Sequence, residues 1–127
     1  LAAELALRRG DAGTARKRFD EARDLDQDVV GADRIEPILL FAETKYDEAR
    51  DRAGEWIIEH PDDSKIDALW IRSMIRVGWW DLAALRLASW PRLHPKGLDE
   101  GARLQDEVEA EKRKAKEPVT SFIINKF

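Results

Sequence analysis

His60-Pro61-Asp62 and His94-Pro95-Lys96 are one turn written twice, with the two prolines 34 residues apart. The same interval before Pro61 falls on Gln27, inside the polar stretch Leu25-Asp26-Gln27-Asp28. Other positions coincide in that register: Ala15, Ala49 and Ala83; Gly10, Thr44 and Gly78; Ala12, Tyr46 and Trp80; Phe19, Ala53 and Leu87. Each set has a physical reading. Glycine suits a helix end that passes through a left-handed residue. A small residue lets two helices approach closely, and an aromatic just after the turn covers the open end of a hairpin. A fixed period of this size is the signature of stacked helical hairpins, each burying its apolar face against its neighbours.

Working outward from these turns, apolar spacing predicts a series of helices. The first covers 1–9 and stops at Gly10. The second covers 14–25, with Ala15, Phe19, Ala22 and Leu25 on one face. Asp33-x-x-Glu36 reads as a capping box opening the third, with Pro37 in its first turn. The fourth, 47–59, carries Ala49, Ala53, Trp56 and Ile57. Ser64-x-x-Asp67 reads as the cap of the fifth. Ile66, Trp70, Met74 and Val77 form one stripe of that helix and Ile71 with Ile75 a second, so it is expected to lie between neighbours. The sixth starts near 81 and is almost entirely apolar until Pro91 ends or kinks it. The last helix, about 98–117, is highly charged, acids before bases, which complements a helix dipole and gives an array a polar cap. The β-branched and aromatic residues of 118–127 predict an extended tail.

The length of 127 residues fits one domain. The chain has no cysteine, which excludes disulfides and thiolate metal sites, and a net charge of −4, which gives no general attraction to nucleic acid. Arg8, Arg9, Arg16, Lys17, Arg18 and Arg23 are interleaved with acids and read as a solvated face. No apolar run approaches the ~20 residues of a membrane span. Leu1-Ala2-Ala3-Glu4 has no basic region followed by an apolar one, as a signal peptide would. The expectations are a fragment or processed product, a cytoplasmic location, and no membrane insertion.

Gly10-Asp11-Ala12-Gly13-Thr14-Ala15 and Lys45-Tyr46-Asp47-Glu48-Ala49 resemble the turn and second-helix start of the tetratricopeptide repeat. Ala15-x3-Phe19, Ala22 and Leu25-Asp26 continue the likeness, which covers roughly residues 1–97. The resemblance implies an all-α solenoid of about three antiparallel helix–turn–helix repeats (1–29, 30–63, 64–97), a capping helix over 98–117 and the tail 118–127. The family's first-helix Trp, Leu-Gly and Tyr pattern is absent. Trp56 and Trp90 stand where the family prefers alanine, and rings there are expected to push helices apart or rotate them.

The family's activity is to hold other proteins, so the resemblance implies an interaction scaffold. Its concave groove maps onto Glu4, Leu7 and Arg8, then Arg34, Ile38 and Phe41, then Lys65, Ala68, Arg72, Ile75 and Arg76. This mixture of cations and apolar spots suits an acidic or carboxylate-terminated peptide. The two-asparagine clamp of chaperone-tail-binding relatives is absent, so that ligand is not expected. The alternative is a regulatory or assembly domain of a larger, multidomain or membrane-associated protein.

Chemistry is not spelled out. His60 and His94 occupy equivalent turns and read as turn residues, not a catalytic or metal pair. No phosphate loop, triad or metal spacing is present, so neither a reaction nor a cofactor is expected. Phe122, Ile123, Ile124 and Phe127 form a second candidate surface, docking in cis, in a homodimer or on another protein. Trp79, beside the Trp80 that fills the aromatic slot, either packs on the final helix or anchors a partner.

Overall fold

The computed structural model describes residues 11–25 and 32–126, excepting the side chains of 22–25 and 116–126. The helix expected over 1–9, with Arg8, lies outside the described residues. Those residues form seven helices and no strand: α1 (Ala12–Leu25), α2 (Ala32–Ala42), α3 (Tyr46–Glu59), α4 (Ser64–Arg76), α5 (Trp80–Ala88), α6 (Trp90–Leu93) and α7 (Leu98–Lys126). Adjacent helices pack antiparallel. Among the described residues, no helix is long and apolar enough to cross a membrane.

Hydrogen bonds repeat at the interval seen in the sequence. Thr44 and Gly78, 34 residues apart, are the two described residues with left-handed backbone, at φ 61° and 85°. Beyond them Lys45 N–H donates to the Leu40 carbonyl at 2.9 Å and Trp79 N–H to that of Met74 at 2.8 Å, the closing bond of a Schellman turn. His60 and His94 end α3 and α6 alike, each donating its backbone N–H to the carbonyl of Trp56 or Trp90. The turn carbonyls of His60 and His94 then accept from Asp63 and Gly97. Ala15, Ala49 and Ala83 are fully buried, as small residues at close helix crossings should be.

Several local expectations are corrected. Asp33 does not cap α2, which already includes Ala32; Pro37 sits in its interior rather than its first turn. The lost N–H there is outweighed by burial of Ile35, Pro37, Leu39 and Leu40. The cap of α4 is Asp63, not Ser64: its carboxylate accepts the Ile66 N–H at 3.3 Å. Asp67 is thereby freed from the helix start and lies fully buried. Pro91 acts as expected, since α5 ends at Ala88 and the proline opens the single turn of α6. The tail is not extended, because α7 runs on through Pro118 to Lys126. A preformed helix propagates at little cost per residue, which overrides the weak β-preference of the segment.

The core is arranged around α4. Ile71, Met74 and Ile75 pack with Ala83 and Leu87 of α5, Trp90 of α6, and Leu104 and Val108 of α7. On the other side, Ile66 joins Ala53 and Ile57 of α3. α4 thus lies between neighbours, as expected, but its stripes do not divide between them: Met74 of the first joins Ile71 and Ile75 of the second, and Trp70 touches both clusters. The Trp90 ring is accommodated by a glycine: a Cβ on Gly101 would meet it at 2.4 Å, so α7 lies directly on the indole.

Asp63 ties three helices together. Besides capping α4, it accepts Arg34 Nε of α2 at 2.8 Å and Trp56 Nε1 of α3 at 2.9 Å. Burial pushes its pKa up, but the bonds from Arg34, Trp56 and the Ile66 N–H hold it below the usual carboxylate value. Glu43 is lowered too, chiefly by its bond to Arg16. A carboxyl with a depressed folded pKa stabilises above its unfolded pKa of about 4, and that contribution disappears as pH falls through the folded value. Stability should therefore drop below about pH 4, read as urea midpoints across a pH series. Asp63→Ala should lower stability by about 2–3 kcal/mol at pH 7, from the lost cap and a stranded guanidinium, and should flatten the acid slope. An unchanged slope would refute the assignment.

Candidate functional site

Several of the residues expected to line a concave groove are engaged by residues outside that set. Arg34 binds Asp63, and Arg72 reaches across to α7, to Glu100 at 2.9 Å and Glu107 at 3.3 Å. Phe41 meets Tyr46 edge-on at 5.1 Å, and the Arg76 guanidinium lies 5.9 Å from the Tyr46 ring. Lys65 is exposed on the first turn of α4. Arg34, Arg72 and Arg76 thus each have a carboxylate or ring of another segment within reach. Phe122, Ile123 and Ile124 lie on the helical end of α7 with side chains outside the described set, and Phe127 lies outside the described residues.

The exposed apolar surface gathers elsewhere, between α3 and α5. Ile58, Trp79, Leu82 and Leu85 are 82%, 46%, 49% and 69% exposed, unusually high for side chains of that size. All four line one groove of about 780 Å³. Arg50, Asp51, Gly54, Glu55 and Ile58 of α3 form one wall; Trp70 and Met74 of α4 form the floor; Trp79, Leu82, Leu85, Arg86 and Ser89 form the other wall. The periodicity explains the placement. On α5, Ala83 and Leu87 turn inward, which leaves Leu82 and Leu85 on the opposite side.

Trp79 is not packed on the final helix. It precedes α5, outside the cluster shared with α7, and lies beneath the Arg50 guanidinium, 3.9 Å from its ring centroid. Trp80 instead turns in and donates its indole N–H to the Ile75 carbonyl at 3.1 Å. At the floor, the Arg86 guanidinium stands 5.1 Å from the Trp70 ring. Two arginine–indole stacks therefore hold the rings of the groove in place.

The charges lining the groove are balanced, Asp51 and Glu55 against Arg50 and Arg86. Arg50 is occupied by Asp47 and Asp51, and Arg86 by Asp67. Beside the groove, a smaller hollow of about 280 Å³ between α2 and α3 is lined by Asp33, Glu36, Arg52, Glu55, Trp56 and Glu59. Sequence reasoning singled out Trp79 but missed Ile58, Leu82 and Leu85. The available signal was a surplus of apolar residues on α5 beyond one buried face.

The two histidines do not converge on a site. His94 is buried with its Nε2 at 2.6 Å from the Asp67 carboxylate, while His60 stacks on Trp56 at 3.8 Å. Among the described residues, no group of histidine or acidic side chains could hold a metal ion. No protein-family model matches this chain, and no curated protein or solved structure matches it.

Proposed function

We propose that this chain is a protein-interaction scaffold of tandem helical hairpins, similar to tetratricopeptide repeats, and that its docking surface is the groove between α3 and α5. The observation that carries the reading is four large, exposed apolar side chains, one of them a tryptophan, converging on one groove. A contiguous apolar patch costs solubility and marks a binding surface. A tryptophan held rigid beneath an arginine gives up little entropy on binding, which suits an anchor. The groove is long and open, the form that takes the apolar face of a helix or peptide. The recurrent turns at 34-residue spacing support the repeat reading, because both left-handed turns and both histidine turns fall in one register. No reaction is assigned to the chain.

A photo-crosslinking residue tests the choice of surface. At Leu85 it should give discrete protein adducts in cells, while at Lys65, on the face first expected to bind, it should give few. Adducts from Lys65 alone, or from neither position, would move the site elsewhere or remove the function.

A further inference from the structure

The groove has a matching occupant in this same sequence, an inference that rests on the docking reading above. The helical end of α7 carries a basic run, Lys112-Arg113-Lys114 and Lys116, followed by Val119, Phe122 and Ile123 at i, i+3 and i+4. That is the register of helix-in-groove anchors. We propose that the end of α7 docks in the α3–α5 groove of a second copy, reciprocally, so that two chains exchange their terminal helices.

Direction excludes the chain's own groove. Lys112 pairs with Asp81, in the first turn of α5, at 3.4 Å. With Leu104 and Val108 packed in the cluster that holds Ala83 and Leu87, α7 runs antiparallel to α5. The residues after Lys112 continue past the start of α5 for about 20 Å at 1.5 Å per residue. The groove runs the other way, from Trp79 along α5 to Ser89. A continuous α7 therefore leads away from its own groove.

Length and charge fit the exchange. Trp79 to Ser89 is a wall of about 15 Å, close to the about 13 Å spanned by the helical residues 118–126. Along α3, Asp47, Asp51 and Glu55 are each more than 60% exposed, and the two arginines between them are already paired, Arg50 with Asp47 and Asp51 and Arg52 with Glu55. A helix with lysines and an arginine ahead of its apolar stripe complements that rim.

Equilibrium sedimentation of the full chain tests the exchange. The wild type should be dimeric at ~100 µM. Leu85→Glu and Ile123→Glu should each weaken self-association about tenfold or more. Both should keep the wild-type circular dichroism, Leu85 because it is exposed. An equimolar mixture of the two should regain dimers, since one chain retains a sound groove and the other a sound helix end. A synthetic peptide of residues 112–127 should also bind the full-length Ile123→Glu chain and fail to bind Leu85→Glu,Ile123→Glu. A monomeric wild type, or a Leu85→Glu chain that dimerises normally, would overturn the exchange. Adducts from Leu85 to other proteins and none to a second copy would overturn it as well, while leaving the docking reading intact.

Discussion

Replacing Asp67 by alanine is expected to lower stability by about 3–5 kcal/mol, the usual result of breaking a buried charge pair from one side. Asp67 has no solvent exposure. It accepts two bonds from Arg86, at 3.0 and 2.8 Å, and lies 2.6 Å from His94 Nε2. It thereby joins α4 to α5 and to the turn before α7. Truncation leaves a guanidinium and a buried imidazole facing an apolar void. A domain of this size has a total stability of only about 5–15 kcal/mol, so the loss is a large share of it. Asp67→Asn keeps the shape and some hydrogen bonding, and should fall between the two. Urea midpoints followed by circular dichroism give the comparison, and an alanine variant within about 1 kcal/mol of wild type would show that the cluster holds nothing together.

Gly101→Ala should destabilise, against the trend of its residue types. Alanine is better than glycine inside a helix by about 1 kcal/mol. Here the new Cβ would lie 2.4 Å from Trp90 Cδ1 and 2.8 Å from Nε1. The indole cannot step back, because it is 1% exposed and its N–H donates to the Gly97 carbonyl at 2.7 Å. Overpacking of this kind costs about 1–3 kcal/mol or more. Trp90→Ala alone should cost about 3–5 kcal/mol. With the ring gone, Gly101→Ala should become neutral or stabilising. That reversal of sign in a double-mutant cycle is the decisive readout, and additive effects would refute the contact.

The fold was legible where a physical requirement recurs. Ala15, Ala49 and Ala83 had to be small, Thr44 and Gly78 had to end helices, and the interval between them gave the hairpins. The two stripes of α4 correctly announced a helix between neighbours. What failed was the choice among adjacent polar residues. Asp63 and Ser64 both suit an N-cap, and only the positions of Arg34 and Trp56, from distant segments, select the aspartate. Asp67 looked like the partner in that cap because nothing local reveals Arg86 and His94. The tail was misread because local β-preference competes poorly with a long helix already formed.

The groove proposed for docking was less legible. A concave groove of cations followed from family likeness, and the cations were real. Their partners Asp63, Glu100 and Glu107 come from later segments that a sequence reading cannot bring near them. The apolar surplus of Leu82 and Leu85 was visible, but it became a site only beside Ile58 of α3 and the Trp70 floor.

α4 also sets how binding is felt. It packs against α2, α3, α5 and α7, so the helices that follow it cannot come away without uncovering it. Its Trp70 and Met74 are also the groove floor. Whatever occupies the groove grips the same helix that α7 grips from the other side. A partner docked in the groove, as proposed, would therefore be linked to the stability of the helices packed on α4 and act as a brake on their unfolding as well as a passenger.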